Sequence, residues 1–588
     1  GDPLPARVVV LGRDPDGTGP APATADPNFG AVSMPGYRSA PRASGSGNVV
    51  HLVDGTGSVQ LPTGTYQAFA MRGLEYSLDR FPADGSSFSI VAGQTLAANF
   101  VLERLLDDAD LPGGFASPLQ GYVSADLAAK TGASLDSALP QRDRLIAHLA
   151  SGIEVVTSGD VEVVTDLGAS LIALDDESAL PLTELLVTQR GVSSRGDVGV
   201  FIGGVLELNN GAGTQAAFPL PFSASAPRRG APYDEYRLPA ERLEDFTATG
   251  AALRRMVTPR LPVFEPPFPP VGYGWFTNGK AGFPQPGTGV GSLAAGGYTT
   301  PLSDAGRLAL VDLISTKTGD GGRDGAFELI DVLSSVSFYE DPQLADWFAL
   351  TSAGLIRTAT GASLSTDLES AAGFPRVFVA APPSAGTDLN TLDLSAFNSA
   401  LRPSLTQGTV AINAASTPSG IANAMNVLVS SGPVVFLEVD ADEDGVFEGR
   451  PGSLVEDDGD GSVDVRVTVL AAPWVPIDSA QLTVNGGAFA GSLTGSNPQV
   501  IALGALSASP SGDARFGRNL ADIVRARSTV TVSISGGNDD WIIAQARGTA
   551  DELFREVVGP SWTAVTGLSN PVFISDAADG DFDPNGVP

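Results

Sequence analysis

Short apolar runs, each broken by Gly, Pro or Asp, fill the first 118 positions. "ARVVVLGRD", "GSVQLPTGTYQAFAMRG" and "SSFSIVAGQTLAANFVLERL" alternate apolar and polar residues between turn signals. A period of two with such breaks predicts short half-buried strands. The expectation over 1–118 is an N-terminal β-sandwich. From 119 to 437 the pattern changes. "LPQRDRLIAHLASG" and, before "LIRTATGAS", "PQLADWFALTSAG" carry helical spacing, whereas "IEVVTSGD" reads as a strand and "DGAFELIDVLSS" as a strand-like run with flanking breaks. Alternating helix and strand predicts an α/β core with parallel strands. Within it, "PRLPVFEPPFPPVGYGWFTNGKAGFPQPGTGVGSLAAGGYTT" reads as a long covering loop. From 438 to 588 strand pairs return in "SVDVRVTVLAAPWVPIDSAQLTVNGG" and "STVTVSISGGNDDWIIAQARG", which predicts a C-terminal β-sandwich with acidic loops.

At 588 residues the chain is too long for one ordinary core, which agrees with these three segments. Hydrophobic residues at 43% and charged residues at 17% place it among globular chains. No apolar run approaches a bilayer span, so no transmembrane segment is expected. The net charge of −33 repels nucleic acid and favours cations. The lysines are Lys130, Lys280 and Lys317, so positive charge is almost entirely Arg, which suits fixed ion pairs. The absence of Cys excludes disulfides and thiolate chemistry. The chain starts at Gly1 without Met, which fits either a removed signal sequence or an arbitrary boundary; the acidic, Gly/Pro-rich composition favours the signal and predicts a secreted or cell-surface bacterial protein.

The histidines are His51, in a strand-like run, and His148, on a helical face with Leu145 and Leu149. Both read as ordinary core or surface imidazoles. Two imidazoles are too few for a His-rich metal centre in any register. Yet the chain carries five phrases in a recognisable order: "GYVSADLAAKTG", "VVTSGDVEVVTD", "ELNNGAGTQAAFPL", "VTPR" and "GASLSTDLESAAGFPRVFV". Together these resemble the polymerase-and-histidinol-phosphatase (PHP) family of metal-dependent phosphoesterases, in its secreted carbaryl-hydrolase-like branch. The resemblance runs from about 66 to 440. It implies a multidomain α/β plus β chain, with a central distorted α/β (PHP-like) barrel between the N- and C-terminal sandwiches.

The resemblance also implies where metal ligands belong. Asp126, Asp160 and Glu207 keep acidic ligands of the family pattern. Ala128, Lys130, Val161, Thr214, Thr258 and Thr366 stand at its histidine positions, and Leu364 at an aspartate. Without imidazoles no ion is held to lower the pKa of a bound water. Lys130 would oppose a cation there. The expectation is therefore a pseudoenzyme without a catalytic transition metal, acting as a structural, assembly or binding component. Protein partners or self-assembly are expected. The alternatives are a hydrolase with a relocated carboxylate pair, and a glycan or ligand binder using the former cleft.

Calcium is the one cofactor the acids suggest. "DADEDGVFEGRPGSLVEDDGDGSVD" offers Asp440, Asp442, Asp444 and Glu448, then Asp457, Asp458 and Asp460. The first set has the alternating spacing and Gly of a calcium loop, without the bidentate Glu at its twelfth position. The tail adds Asp576, Asp579, Asp581 and Asp583. Solvated acidic turns are the plain alternative. The "SRGD" at 194–197 is a chance-level match to an adhesion tripeptide. Tyr273 and Trp275 suit packing better than stacking on sugars.

Overall fold

The computed structural model describes residues 3–13, 45–46, 49–129 apart from 62, 109–110, 113 and 115, 141–158, 186–192, 198–206, 272–277, 329–334, 344, 347–348, 351–352, 354, 356–363, 371–380, 400–401, 425–487, 499–534 apart from 505, 539–559, 562 and 564–575. The first segment forms β1 (Ala6–Arg13), β2 (Gly45–Ser46), β3 (Val49–Leu52), β4 (Gly64–Met71), β5 (Asp79–Phe81) and β6 (Phe88–Ile90). These make one six-stranded sheet in the order β2-β3-β1-β4-β5, with β6 also on β4. Its faces differ. Val8, Val10, Tyr66, Ala68 and Ala70 form a small core of their own. Val9, Leu11, Phe69 and Met71, one residue out of phase, enter a larger core shared with the C-terminal strands. The period-two alternation thus loads two separate cores.

The central segment supplies β7 (Tyr122–Ala129), α1 (Gln141–Ala150), β8 (Val155–Ser158), β9 (Leu186–Val192), β10 (Val198–Leu206), β11 (Gly272–Thr277), β12 (Leu329–Ser334), β13 (Thr358–Ala362), β14 (Arg376–Ala380) and β15 (Val427–Ser430). After these come β16 (Val434–Asp440), β17 (Leu454–Glu456), β18 (Ser462–Leu470), β19 (Ser479–Val484), β20 (Gln499–Ala502), β21 (Val524–Ser533), β22 (Asp540–Thr549), α2 (Glu552–Val557), β23 (Ala564–Ser569) and β24 (Val572–Ser575). One fifteen-stranded sheet runs β13-β12-β11-β10-β9-β8-β7-β14-β15-β23-β22-β19-β20, and β17 and β24 join it through β22. Strands β16, β18 and β21 form a separate three-stranded sheet.

This corrects the expected fold class. The central segment is not an α/β barrel ringed by helices. It is a curled, half-barrel stretch of a mainly β structure, and among the described residues α1 and α2 are the two α-helices with defined bounds. Strands β7, β8 and β9 are parallel, as are β11, β12 and β13. Between these sets β9, β10 and β11 pair antiparallel, and β14 is antiparallel to both β7 and β15. An α/β barrel needs a crossover, normally a helix, at every parallel step. Apolar runs such as "VGVFIGGVL" satisfy a buried strand in either direction, so the pattern left direction open. The aromatic stretch read as a loop likewise contains a strand, β11, where Tyr273, Trp275 and Phe276 suit extended backbone.

The half-barrel closes through contact rather than pairing. Strand β13 packs against β7, β14 and β15. Asn570 clips it there: its Oδ1 accepts from Ala359 N at 2.8 Å, and its Nδ2 donates to the carbonyls of Ala359 and Val427. A Cβ on Gly361 would stand 2.6 Å from Val429 Cγ1, so the crossing requires glycine at that position.

Arg376, fully buried on β14, joins the segments. It donates to Glu75 Oε2 at 3.2 Å, Ser151 O at 2.9 Å and Gly373 O at 2.8 Å. Glu75 belongs to the turn after β4 and also holds Arg104 at 3.2 Å. Ser151 ends α1. The variant Glu75→Gln removes the carboxylate shared by both guanidinium groups. It is expected to cost about 3 kcal/mol or more, because one partner of a buried pair stays charged. Chemical denaturation reads this as a lower midpoint at unchanged slope. A change within about 0.5 kcal/mol would show that the pair does not hold the joint.

Candidate functional site

Of the positions the family resemblance marks, Asp126 is described with its side chain. Ala128 follows on β7, where the backbone alone is described. Lys130, Asp160, Val161, Glu207, Thr214, Thr258, Leu364 and Thr366 lie outside the described residues. So do the Ser194–Asp197 match and the tail acids. Tyr273 and Trp275 lie on β11, described as backbone.

Asp126 is a carboxylate inside an apolar strand, with Val123, Ala125 and Leu127 buried beside it. A fully buried acid needs partners. It finds them on α1 and just past β13. His148 Nε2 lies 3.2 Å from Asp126 Oδ2. Ser363 donates to Asp126 from its backbone N, at 3.2 Å to Oδ1, and from its hydroxyl to Oδ2. Burial alone would raise the Asp126 carboxyl, but the His148 and Ser363 contacts outweigh it and hold the group below its usual range. Helix α1 is set to deliver His148. Ile146, Ala147, Leu149 and Ala150 are buried around it. The helix ends at Gly152, with φ +70°, where Ile153 N donates to His148 O.

Sequence reasoning named Asp126 and His148 separately and missed Ser363 and the contact itself. The available signal was a charge in an otherwise apolar strand. The partner 237 residues away has no local signature.

The three residue types of a serine triad thus meet, but in the wrong order for that chemistry. In a triad the imidazole stands between hydroxyl and carboxylate and takes the hydroxyl proton. Here the carboxylate stands between them, and Asp126 Oδ2 accepts from Ser363. All three side chains are buried at 3% exposure or less. The arrangement ties β7, α1 and the end of β13 together.

The acidic loops lie together at one end of β16 and β18, where Asp440 faces Asp464. Oxygens of Asp440, Asp442 and Asp444 lie within 4.8 Å of one another, and those of Asp457, Asp458 and Asp460 do likewise. Asp440 Oδ2 accepts from Gly445 N at 2.8 Å, and Asp444 Oδ1 from Val446 N at 2.8 Å. Glu448 turns back to accept from Ala441 N at 3.0 Å. Ser462 Oγ links the loops, 2.7 Å from Glu443 and 2.9 Å from Asp460. Burial, with the charges of Asp444 and Asp442 adding to it, raises the Asp440 carboxyl above its usual range against the Gly445 hydrogen bond. Asp457 is raised by burial in the same way, with Asp458 and Asp460 adding.

Among the described residues no helix is long and apolar enough to cross a membrane. Comparison with known protein families and with curated proteins finds no match to this chain.

The Asp126 contacts set a pH dependence. A carboxyl held low in the fold stabilises above its unfolded pKa, about 3.9, and the contribution is lost as pH falls through the folded value. Asp126→Asn is expected to cost about 1.5–3 kcal/mol at pH 7. The gap between variant and parent should shrink below about pH 4. Unfolding of both proteins across pH 3–7 checks this, and a gap that does not change with pH would rule it out.

Proposed function

We propose that this chain is a non-catalytic structural or assembly component. The observation that carries the reading is the use made of Asp126. The one described acid of the expected metal site is spent on a sealed internal tether, with no ligand oxygen turned to solvent. Architecture supports the same reading. A single large core takes in Val9 and Phe69 from the N-terminal sheet, Phe374 beside β14, and Trp474, Phe554 and Ile574 from the C-terminal part. Trp474 stacks on Phe554 at 5.7 Å, and its Nε1 donates to Tyr76 O at 3.0 Å. Interlocking of segments this far apart in sequence suits a rigid, partner-presenting body better than a hinged enzyme. An extracellular setting fits the acidic loops, since millimolar calcium is found there.

Purified chain assayed on phosphomonoesters and phosphodiesters with Mn²⁺, Zn²⁺ or Fe²⁺ is expected to show no turnover above the metal-only blank. Turnover near 1 s⁻¹ that disappears in Asp126→Asn would overturn the proposal. Sedimentation across a hundredfold range of concentration tests the assembly half, with self-association as the expected result.

A further inference from the structure

We propose that the loop closed by Asp440, Asp442 and Asp444 is a binding site for a hard divalent cation of the calcium class. This goes beyond the structural role above and stands apart from it.

Acid clustering alone would not carry the claim. The deciding observation concerns a single atom. Asp440 is 1% exposed, and while its Oδ2 takes the Gly445 N–H, its Oδ1 is sealed from solvent without any hydrogen-bond partner. A buried carboxylate oxygen without a donor is costly. The Asp440 carboxylate stands beside those of two more aspartates, with one oxygen from each within 4.8 Å of the others, which adds repulsion rather than relief. A cation placed among the three satisfies the orphaned oxygen and cancels that repulsion together.

The donor set selects the ion. Every ligand atom is oxygen, and neither His nor Cys stands in the loop, which disfavours zinc and copper. Calcium takes oxygen ligands at about 2.3–2.6 Å in a flexible geometry, whereas magnesium demands a near-ideal octahedron at about 2.1 Å and dehydrates reluctantly, so adjacent carboxylates on one irregular loop suit calcium better. Gly445, with φ +89° and nothing within 4 Å of a would-be Cβ, makes the bend that turns the carboxylates inward. The frame is built independently of any ion. Val439 and Gly449 exchange backbone hydrogen bonds, and Arg466 lies 3.9 Å over the Phe447 ring. Residues 440–464 hold ten acids and one Arg, so the surrounding field draws a cation inward.

The test uses the full chain, freed of metal with EDTA. Calcium titration by calorimetry is expected to give a Kd on the order of 0.1–1 mM. Five millimolar Ca²⁺ should raise Tm by roughly 1–3 °C over EDTA, with a smaller rise in Mg²⁺ at matched ionic strength. The double variant Asp442→Asn with Asp444→Asn alters exposed side chains and leaves the fold intact. It should lose the calcium shift and bind at least tenfold more weakly, as should Asp440→Asn. Asp84→Asn, an exposed acid of the N-terminal sheet, should keep both. No calcium shift in the parent, an equal shift in Mg²⁺, or a shift that survives the double variant would each overturn the proposal.

Discussion

The Arg376 guanidinium is the point through which the structure is held together. It sits at the start of β14, sealed from solvent, and meets three elements that no sequence neighbourhood joins. Glu75 comes from the N-terminal sheet, Ser151 O from the end of α1, and Gly373 O from the approach to β14 itself. The fit is close on the N-terminal side, where a Cβ on Gly73 would stand 2.3 Å from Ser151 O. A guanidinium suits this place because its donors point in fixed directions and can serve a carboxylate and two carbonyls together. A lysine would offer a point charge and leave carbonyls bare.

The same device recurs. Arg7 donates to Val557 O, and so ties β1 to the end of α2. Arg525 reaches the carbonyls of Ala472, Pro473 and Val475, and burial holds its guanidinium down to about 10. A β-rich chain with many irregular connections leaves carbonyls that no ladder satisfies. Buried arginines take them. The Arg-rich, Lys-poor composition therefore acts inside the protein, by closing loop carbonyls, as well as in ion pairs.

Anionic groups divide between two uses. Asp126 and Glu75 are buried with donors and lock packed elements. The acids of 440–464 crowd at one exposed end of β16 and β18, and Asp440 alone among the first triad is buried there with an oxygen unmet. The first use is complete within the protein, and the second is where the proposed cation would act.

The sequence by itself determined the local elements. Turn residues and period-two runs located the strands of the first and last segments, and the spacing of Leu145 and Leu149 located α1. The spacing of Asp440, Asp442, Asp444 and Gly445 marked the acidic loop, because its ligand atoms are neighbours along the chain. Tertiary structure alone decided strand direction in the central sheet, the half-barrel in place of a helix-ringed one, and the meeting of Asp126 with Ser363. A buried strand presents the same apolar run whether its neighbour runs parallel or antiparallel, so composition carries no direction. A contact across 237 residues is selected by the packing of β13 onto β7, and the energy that fixes it belongs to the assembled core rather than to either segment.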